Sequence, residues 1–283
     1  MDASTLAIWQ FVLLVASGSV LAGLLGALTG LGGGVVIVPM LVLLFGVDLR
    51  YAIGASLVAV IATSSGAAAA YVREGYSNIR LGLFLEIATT VGALTGALIA
   101  TVASANWIAI IFGVVLLCSA FFSATAAGEP AIPVTSDRFA VWLSLDSTYP
   151  DNGQLRPYAI TNVPAGFSLM FVAGALSGLL GIGSGALKVL AMDRAMHVPF
   201  KVSTTTSNFM IGVTAAASAG VYLHRGYLDP TLSTPVVLGV MAGAVLGSRL
   251  LVVGPVRVLR IVFGLVIVAL GLQMIYSGLT GKF

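Results

Sequence analysis

The sequence predicts an all-α polytopic membrane protein built from two inverted repeats of about five helical segments each, and three observations carry that expectation. Charged residues make up only 8% of the 283 residues, against 59% hydrophobic, with a mean hydropathy of +1.08. The charge-free runs are long enough to span a bilayer. The chain also matches itself at a fixed offset of 151 positions.

A soluble domain carries roughly 25% charged residues. At 8% this chain cannot coat itself with a water-facing surface, so lipid is its solvent. No Asp, Glu, Lys or Arg occurs in 3–47, 51–72, 87–128, 157–187, 202–224, 230–248 or 261–281. A membrane helix needs roughly 20 apolar residues, so each run can span and the longest hold two segments. In lipid the backbone must satisfy its own hydrogen bonds, and runs of this length do so as helices rather than barrel strands. The acidic start Met1-Asp2 and the length of the first apolar stretch read as a retained helix rather than a cleaved leader. The net charge of +3 comes from basic residues in short loops, where they orient a membrane chain and call for no nucleic acid. A single cysteine, Cys118, leaves no intrachain disulfide and no cysteine metal cluster, and neither a metal nor a cofactor is expected.

Sliding 30–96 onto 181–247 needs no gap and gives 15 identities in 67 positions. Their order is what separates them from chance matches between apolar stretches. Gly30-Leu31-Gly32-Gly33-Gly34 falls on Gly181-Ile182-Gly183-Ser184-Gly185, Ser56 on Ser207, Thr63 on Thr214, Tyr71 on Tyr222 and Gly92 on Gly243. The expected segments are 5–29, 34–46, 51–72, 81–103 and 106–127, then 161–180, 185–197, 202–223, 231–252 and 257–280. This divides the chain into a first transmembrane repeat (1–128), a cytoplasmic polar linker (129–160) and a second transmembrane repeat (161–283). The linker holds Pro130, Pro133, Pro150 and Pro157 and the turn-like Pro150-Asp151-Asn152-Gly153. It reads as an ordered loop, with 139–145 as a candidate short strand and a partner near 158–160.

Segments 34–46 and 185–197 are short: about 13 residues reach only ~20 Å of a ~30 Å hydrocarbon core. They read as broken or re-entrant helices. Counted as crossings, they leave nine basic residues (Arg73, Arg80, Arg138, Arg156, Arg194, Lys201, Arg249, Arg257, Arg260) on one side and three (Arg50, Arg225, Lys282) on the other. Not counted, the split is six against six. The positive-inside rule prefers the biased count, which puts both termini outside and makes the second copy upside down, a plan common among transporters.

The candidate solute site follows from the two glycine clusters. Glycine turns sharply and exposes backbone N–H groups, and the start of the helix that follows carries partial positive charge. Gly32, Gly33 and Gly34, with Gly183, Ser184 and Gly185, are therefore expected to hold a small anion near mid-membrane. Lys188 stands in an apolar run, where a charge is costly, and is expected beside that anion. Ser56 and Thr63 lie two helical turns apart on one face, and Thr206, Ser207 and Asn208 add polar groups in the second copy. Glu86, Asp193 and Arg194 are candidate proton carriers. Gly92-xxx-Gly96 and Gly243-xxx-Gly247 read as close-packing contacts. Ser184 lacks the G-x-S-x-G nucleophile pattern and no paired base is apparent, so no enzyme is expected.

The stretches Gly30–Pro39, Ser177–Gly185 with Lys188-Val189, Val198–Val202 and Thr206–Gly212 resemble the sulfite exporter TauE/SafE family of membrane proteins, along nearly the whole chain in two halves. The resemblance implies a secondary transporter in the bacterial inner membrane, exporting a small anion such as sulfite or an organosulfonate by alternating access. An anion channel, or a carrier of another small solute, is the alternative. The implied partners are the anionic substrate and the lipid bilayer, and a homodimer is left open. Two departures stand out. Ser184 replaces the middle glycine of the family's second cluster, and Leu190 stands where the first copy has Pro39.

Overall fold

The computed structural model describes residues 8–29, 33–73, 77–125, 136–151, 154–253 and 256–282. The expected segments appear as helices: α1 (Ile8–Thr29), α2 (Gly34–Phe45), α3 (Leu49–Arg73), α4 (Ile79–Val102), α5 (Ala105–Thr125), α7 (Val163–Leu180), α8 (Gly185–Leu190), α9 (Phe200–His224), α10 (Pro230–Val253) and α11 (Val256–Leu279), all but α8 lying within about three residues of the predicted bounds. The segment expected over 185–197 is split, because α8 gives way to a π-helical turn, Ala191–Ala195. The linker holds a short helix α6 (Arg138–Trp142) and a hairpin of β1 (Ser147–Asp151) and β2 (Gln154–Tyr158).

The strand expected over 139–145 is a correction. Phe139-Ala140-Val141 alternates like a strand, but Val141 N–H bonds to Asp137 O and Leu143 N–H to Phe139 O, which is helix. The strands lie further on, with Ser147 opposite Tyr158 and Asp151 opposite Gln154. Asn-Gly is a favoured two-residue hairpin sequence, and Asn152-Gly153 itself lies outside the described residues.

The helices turn their small side chains inward and their large ones outward. On α4 the buried residues include Ala88, Gly92, Ala93, Gly96 and Ala97, while Leu83, Ile87, Val91 and Leu98 are exposed. In water such an exposed apolar face would be a liability; in lipid it is the matched surface. Among the described residues, α4 and α7 are each long and apolar enough to cross a bilayer unaided. Trp9, Trp107 and Trp142 are 74%, 66% and 78% exposed, at the starts of α1 and α5 and on α6. Tryptophans at the ends of apolar helices form the belt expected at the membrane–water boundary.

The direction of each helix follows from its contacts. Phe11 meets Phe45 edge-on at 5.8 Å, and Gly18 lies against Met40. Helix α2 therefore turns back along α1 and returns to the end where α1 starts, here the near end. In the second copy Thr161 N–H bonds to Met196 O, so the chain after α8 returns to the start of α7 in the same way. Helices α4 and α7 run parallel, since a methyl group on Gly92 would strike the Phe171 carbonyl and one on Gly96 the Ala175 carbonyl. Helices α1 and α10 run parallel too, with Gly239 on Ala16 and Gly243 on Val20. Helix α4 starts at the far end, so α7 starts there as well, opposite to α1.

These seams are reciprocal. Gly23 meets Val240 while Gly174 meets Thr89; Gly243 meets Val20 while Gly92 meets Phe171. Each pair becomes the other when 151 is added to one number and taken from its partner. Exchange of this kind is what a twofold relation between the copies produces.

Polar groups close both ends. At the near end Arg50 donates to Ala100 O (3.2 Å) and Ala103 O (2.8 Å) and lies over the Tyr227 ring at 5.7 Å. A cation there satisfies the last carbonyls of α4. At the far end the Asn78 side chain accepts from Leu81 N–H and donates to Leu145 O and to the Tyr158 hydroxyl, both at 2.8 Å. Burial pushes the Tyr158 hydroxyl up to about 12, so it stays neutral at physiological pH.

Replacing Gly178, which lies against the Ala93 carbonyl, by Val should lower the melting temperature in detergent. Overpacking costs typically ~1–3 kcal/mol, and here backbone rather than a side chain must move. Gly220→Ala, where no atom lies within 4 Å of the added carbon, is the neutral comparison. Equal melting of the two variants would contradict the glycine-seam account.

Candidate functional site

Each copy contains a hairpin of one long and one short helix; the second glycine cluster forms the tip of its hairpin, and of the first cluster Gly33 and Gly34 are described at the start of α2. Helix α2 has 12 residues, about 18 Å, and therefore begins well inside a ~30 Å core. At the first tip Gly33 caps α2 and its carbonyl accepts from Val36 and Ile37 N–H, both at 3.1 Å. At the second tip the backbone is left-handed at Gly181 (φ +70°), Gly183 (φ +70°) and Ser184 (φ +45°). Glycine takes this conformation without strain; a β-branched residue does not.

The tips meet. A methyl group on Gly34 would lie 3.0 Å from Gly181 O and 2.8 Å from Ser56 Oγ. Ser56 on α3 donates to Gly181 O at 2.7 Å, and Ser207 on α9 donates to Gly185 O at 3.2 Å. A carbon added at Gly183 would lie 3.0 Å from both Val60 and Ile211, which are repeat mates, so the second tip sits where the two copies cross. A small cleft opens there, lined by Val35, Val115 and Ser119 on one side and Ile182, Ser184 and Gly185 on the other. Ser184 is 4% exposed and its hydroxyl has no partner among the described residues. A buried unpaired hydroxyl costs about 1–3 kcal/mol, and it stands here on a strained backbone position. The two together set Ser184 apart from the rest of the tip.

Both short helices are disturbed at the same point. Pro39 sits inside α2, and its repeat mate Leu190 immediately precedes the π turn. The second copy reaches by a change of helix type a disturbance that the first carries as a proline.

Beside the tips lies a buried charged chain. Lys188 is fully buried, which excludes snorkelling to the surface. Its Nζ donates to Thr214 Oγ1 at 2.5 Å, and Thr214 Oγ1 lies 2.7 Å from Glu86 Oε1. Thr90 also donates to that oxygen, at 3.1 Å. Glu86 is buried and its Oε2 has no partner among the described residues.

Of the residues singled out from sequence, Gly33, Gly34, Ser56, Gly183, Ser184, Gly185 and Ser207 gather at the tips, and Lys188 lies next to them, facing Thr214 rather than the cleft. Gly32 lies outside the described residues. Thr63 bonds back to Ala59 and Val60 carbonyls, as Thr in membrane helices commonly does. Thr206 accepts from Asn78 N–H at 3.0 Å, away from the tips. Asn208 is half-buried, with no hydrogen-bond partner among the described residues. Thr214 was missed as a site residue. Two signals pointed to it: it lies seven residues past Ser207 on the same face, and buried opposite charges such as Lys188 and Glu86 must be brought into one network.

The model of the family described as Sulfite exporter TauE/SafE matches residues 15–274. Among curated proteins, the chain is 29% identical over 279 residues to the probable membrane transporter protein YunE of Bacillus subtilis (strain 168), covering 95% of this chain and 99% of that protein. It is 25% identical to the probable membrane transporter protein YdhB of the same organism, over 90% of this chain and 97% of that one. It is 26% identical to a probable membrane transporter protein of Xylella fastidiosa (strain 9a5c), over 95% and 96%. No solved structure matches. Matched along almost its whole length, the chain belongs to the sulfite exporter TauE/SafE family, a family of membrane transporters.

Proposed function

We propose that this protein is a secondary transporter that exports a small anion, sulfite or an organosulfonate, across a bacterial inner membrane by alternating access, on an inverted-repeat plan. The observation that carries the reading is the meeting of the two hairpin tips. Helices α2 and α8 both begin inside the bundle, and the first N–H groups of a helix have no intrahelical acceptor. Together with the Ser184 hydroxyl, which has no partner among the described residues, these donors suit a compact oxyanion. The family's description names sulfite, and a sulfonate offers the same three-oxygen head. Hairpins that enter from opposite ends and abut at Gly34 and Gly181 form a barrier that can open to either side in turn.

The protein in liposomes should exchange labelled sulfite or methanesulfonate with saturation and counterflow. Gly183→Val should abolish exchange while the protein still inserts, because the left-handed turn is lost locally; Gly220→Ala should exchange normally. Flux that never saturates would favour a channel, and full activity of Gly183→Val would remove the tip from the site.

The nine-to-three basic asymmetry assigns the far end, with the linker, to the cytoplasm. In a background with Cys118 replaced by Ala, Lys282→Cys should react with an impermeant maleimide from intact cells. Ser147→Cys, on β1, should react only after permeabilisation. Reaction of both from the same side would refute the orientation.

A further inference from the structure

We infer that Glu86 is a proton-binding site of the transport cycle, which takes up a proton at its free oxygen and so releases the charge of Lys188 to a bound anion. The inference rests on the reading that the hairpin tips hold an anion.

The geometry comes first. Lys188 from the second copy and Glu86 from the first are joined through one hydroxyl, that of Thr214. With Glu86 ionised, the chain runs from ammonium to hydroxyl to carboxylate, and the two charges offset each other within the membrane. This spends Lys188 on Glu86. The carboxylate is nevertheless incompletely held, because Oε1 accepts from Thr90 and Thr214 while the buried Oε2 accepts from no group among the described residues. A group present only to neutralise a lysine would have both oxygens satisfied. An oxygen left bare is where a proton can add.

The repeat supplies a comparison within the molecule. Glu86, Lys188 and Thr214 correspond to Val237, Ile37 and Thr63 in the other copy. Ile37 is fully buried, Val237 packs against the apolar core and Thr63 bonds to its own helix. The scaffold thus packs these positions with no charge at all. The charged trio is extra to the fold and appears on one side of the twofold only.

Few other groups act on Glu86. Helix α7 carries no titratable residue. Helix α9 presents Thr214, and its own titratable residues, Lys201, Tyr222 and His224, lie near its two ends. On α4 the nearest charge is Arg80, exposed at the far end. Asp193 and Arg194 face each other at 3.4 Å in the π turn. Among the described residues, Lys188 is therefore the charge that governs Glu86.

The step is a simple one. A proton from water forms an O–H bond at Oε2, and the site changes from neutral to one net positive charge on Lys188. Helix α8, which carries Lys188, also lines the cleft with Gly185, Ala186 and Leu187. An anion there restores neutrality, so proton and anion each favour binding of the other, as linkage requires. They travel together, and a singly charged anion leaves as part of a neutral pair driven by its own outward gradient. Helix α8 is bracketed by the left-handed tip and the π turn, so loosening this chain frees the element that holds one wall of the cleft.

Two measurements test the inference. Infrared difference spectroscopy of the substrate-free protein should show a protonated buried carboxyl band on acidification. The band should be absent in Glu86→Gln. In Lys188→Met it should persist to higher pH, because loss of the cation disfavours the carboxylate. No band that depends on Glu86, or no upward move in Lys188→Met, overturns the proposal. In liposomes the probe is methanesulfonate, whose charge does not change over the pH used. Acidifying the loading side should raise wild-type uptake and carry protons with it. Glu86→Gln should still exchange methanesulfonate while losing the response to pH, and a response that survives in Glu86→Gln overturns the proposal. The double variant Glu86→Val, Lys188→Ile, which copies the apolar side, should melt like the wild type and show no proton flux; proton flux in it counts against the proposal. Absence of methanesulfonate exchange by the wild type would contradict the anion reading, and the infrared result would still decide whether Glu86 binds a proton.

Discussion

A break in a helix is costly inside lipid, because the freed backbone groups have no water to bond, and this constraint shapes the centre of the molecule. The break before α8 is enclosed by other parts of the bundle. It is held by hydroxyls: Ser56 reaches across from the first copy to Gly181 O and Ser207 comes from its own copy to Gly185 O. Those carbonyls are the groups a continuous helix would have paired. Non-helical backbone at membrane depth is tolerated where protein or a polar cavity surrounds it, and the cleft at Ser184 is such a place.

The breaks also need helices that approach closely enough to enclose them. Lipid offers no hydrophobic gain for bringing helices together, so the seams rely on small residues that let backbones touch. Gly92, Gly96, Gly174 and Gly178 do this between α4 and α7, and Gly23, Gly239 and Gly243 between α1 and α10. The two seams exchange under the repeat, so one packing solution is used twice. The chemistry does not exchange: Glu86, Lys188 and Ser184 have Val237, Ile37 and Gly33 as mates. The packing seams repeat between the copies and the polar equipment is one-sided.

Much of this was legible in the sequence, because lipid makes the pattern coarse and strong. A charge-free run bounded by basic residues fixed α3 over 51–72 against an observed Leu49–Arg73, and glycine clusters marked the starts of α2 and α8. The linker was harder. There the chain returns to water, strand and helix compete on ordinary terms, and Phe139–Trp142 followed its local N-terminal turn rather than its alternation. The role of individual hydroxyls was harder still. Ser56 and Thr63 share a helix and a face, but Ser56 meets a glycine carbonyl from the other copy and Thr63 meets only its own helix. Which of two such residues finds an external acceptor depends on where another chain segment is cut, and spacing does not contain that. The pairing of Lys188 with Glu86 was accessible by reasoning that two buried opposite charges require each other; their link through Thr214 needed the fold.

The central claim is that the two tips together form the solute site. It is tested most directly by an experimental structure of the protein with a bromine-bearing alkanesulfonate bound, the bromine locating the ligand without ambiguity. The account predicts the sulfonate head in the cleft between Ser184-Gly185 and Val35, near mid-membrane. A ligand found at either membrane surface, with the tips packed unchanged, would contradict it and return the glycine clusters to a packing role.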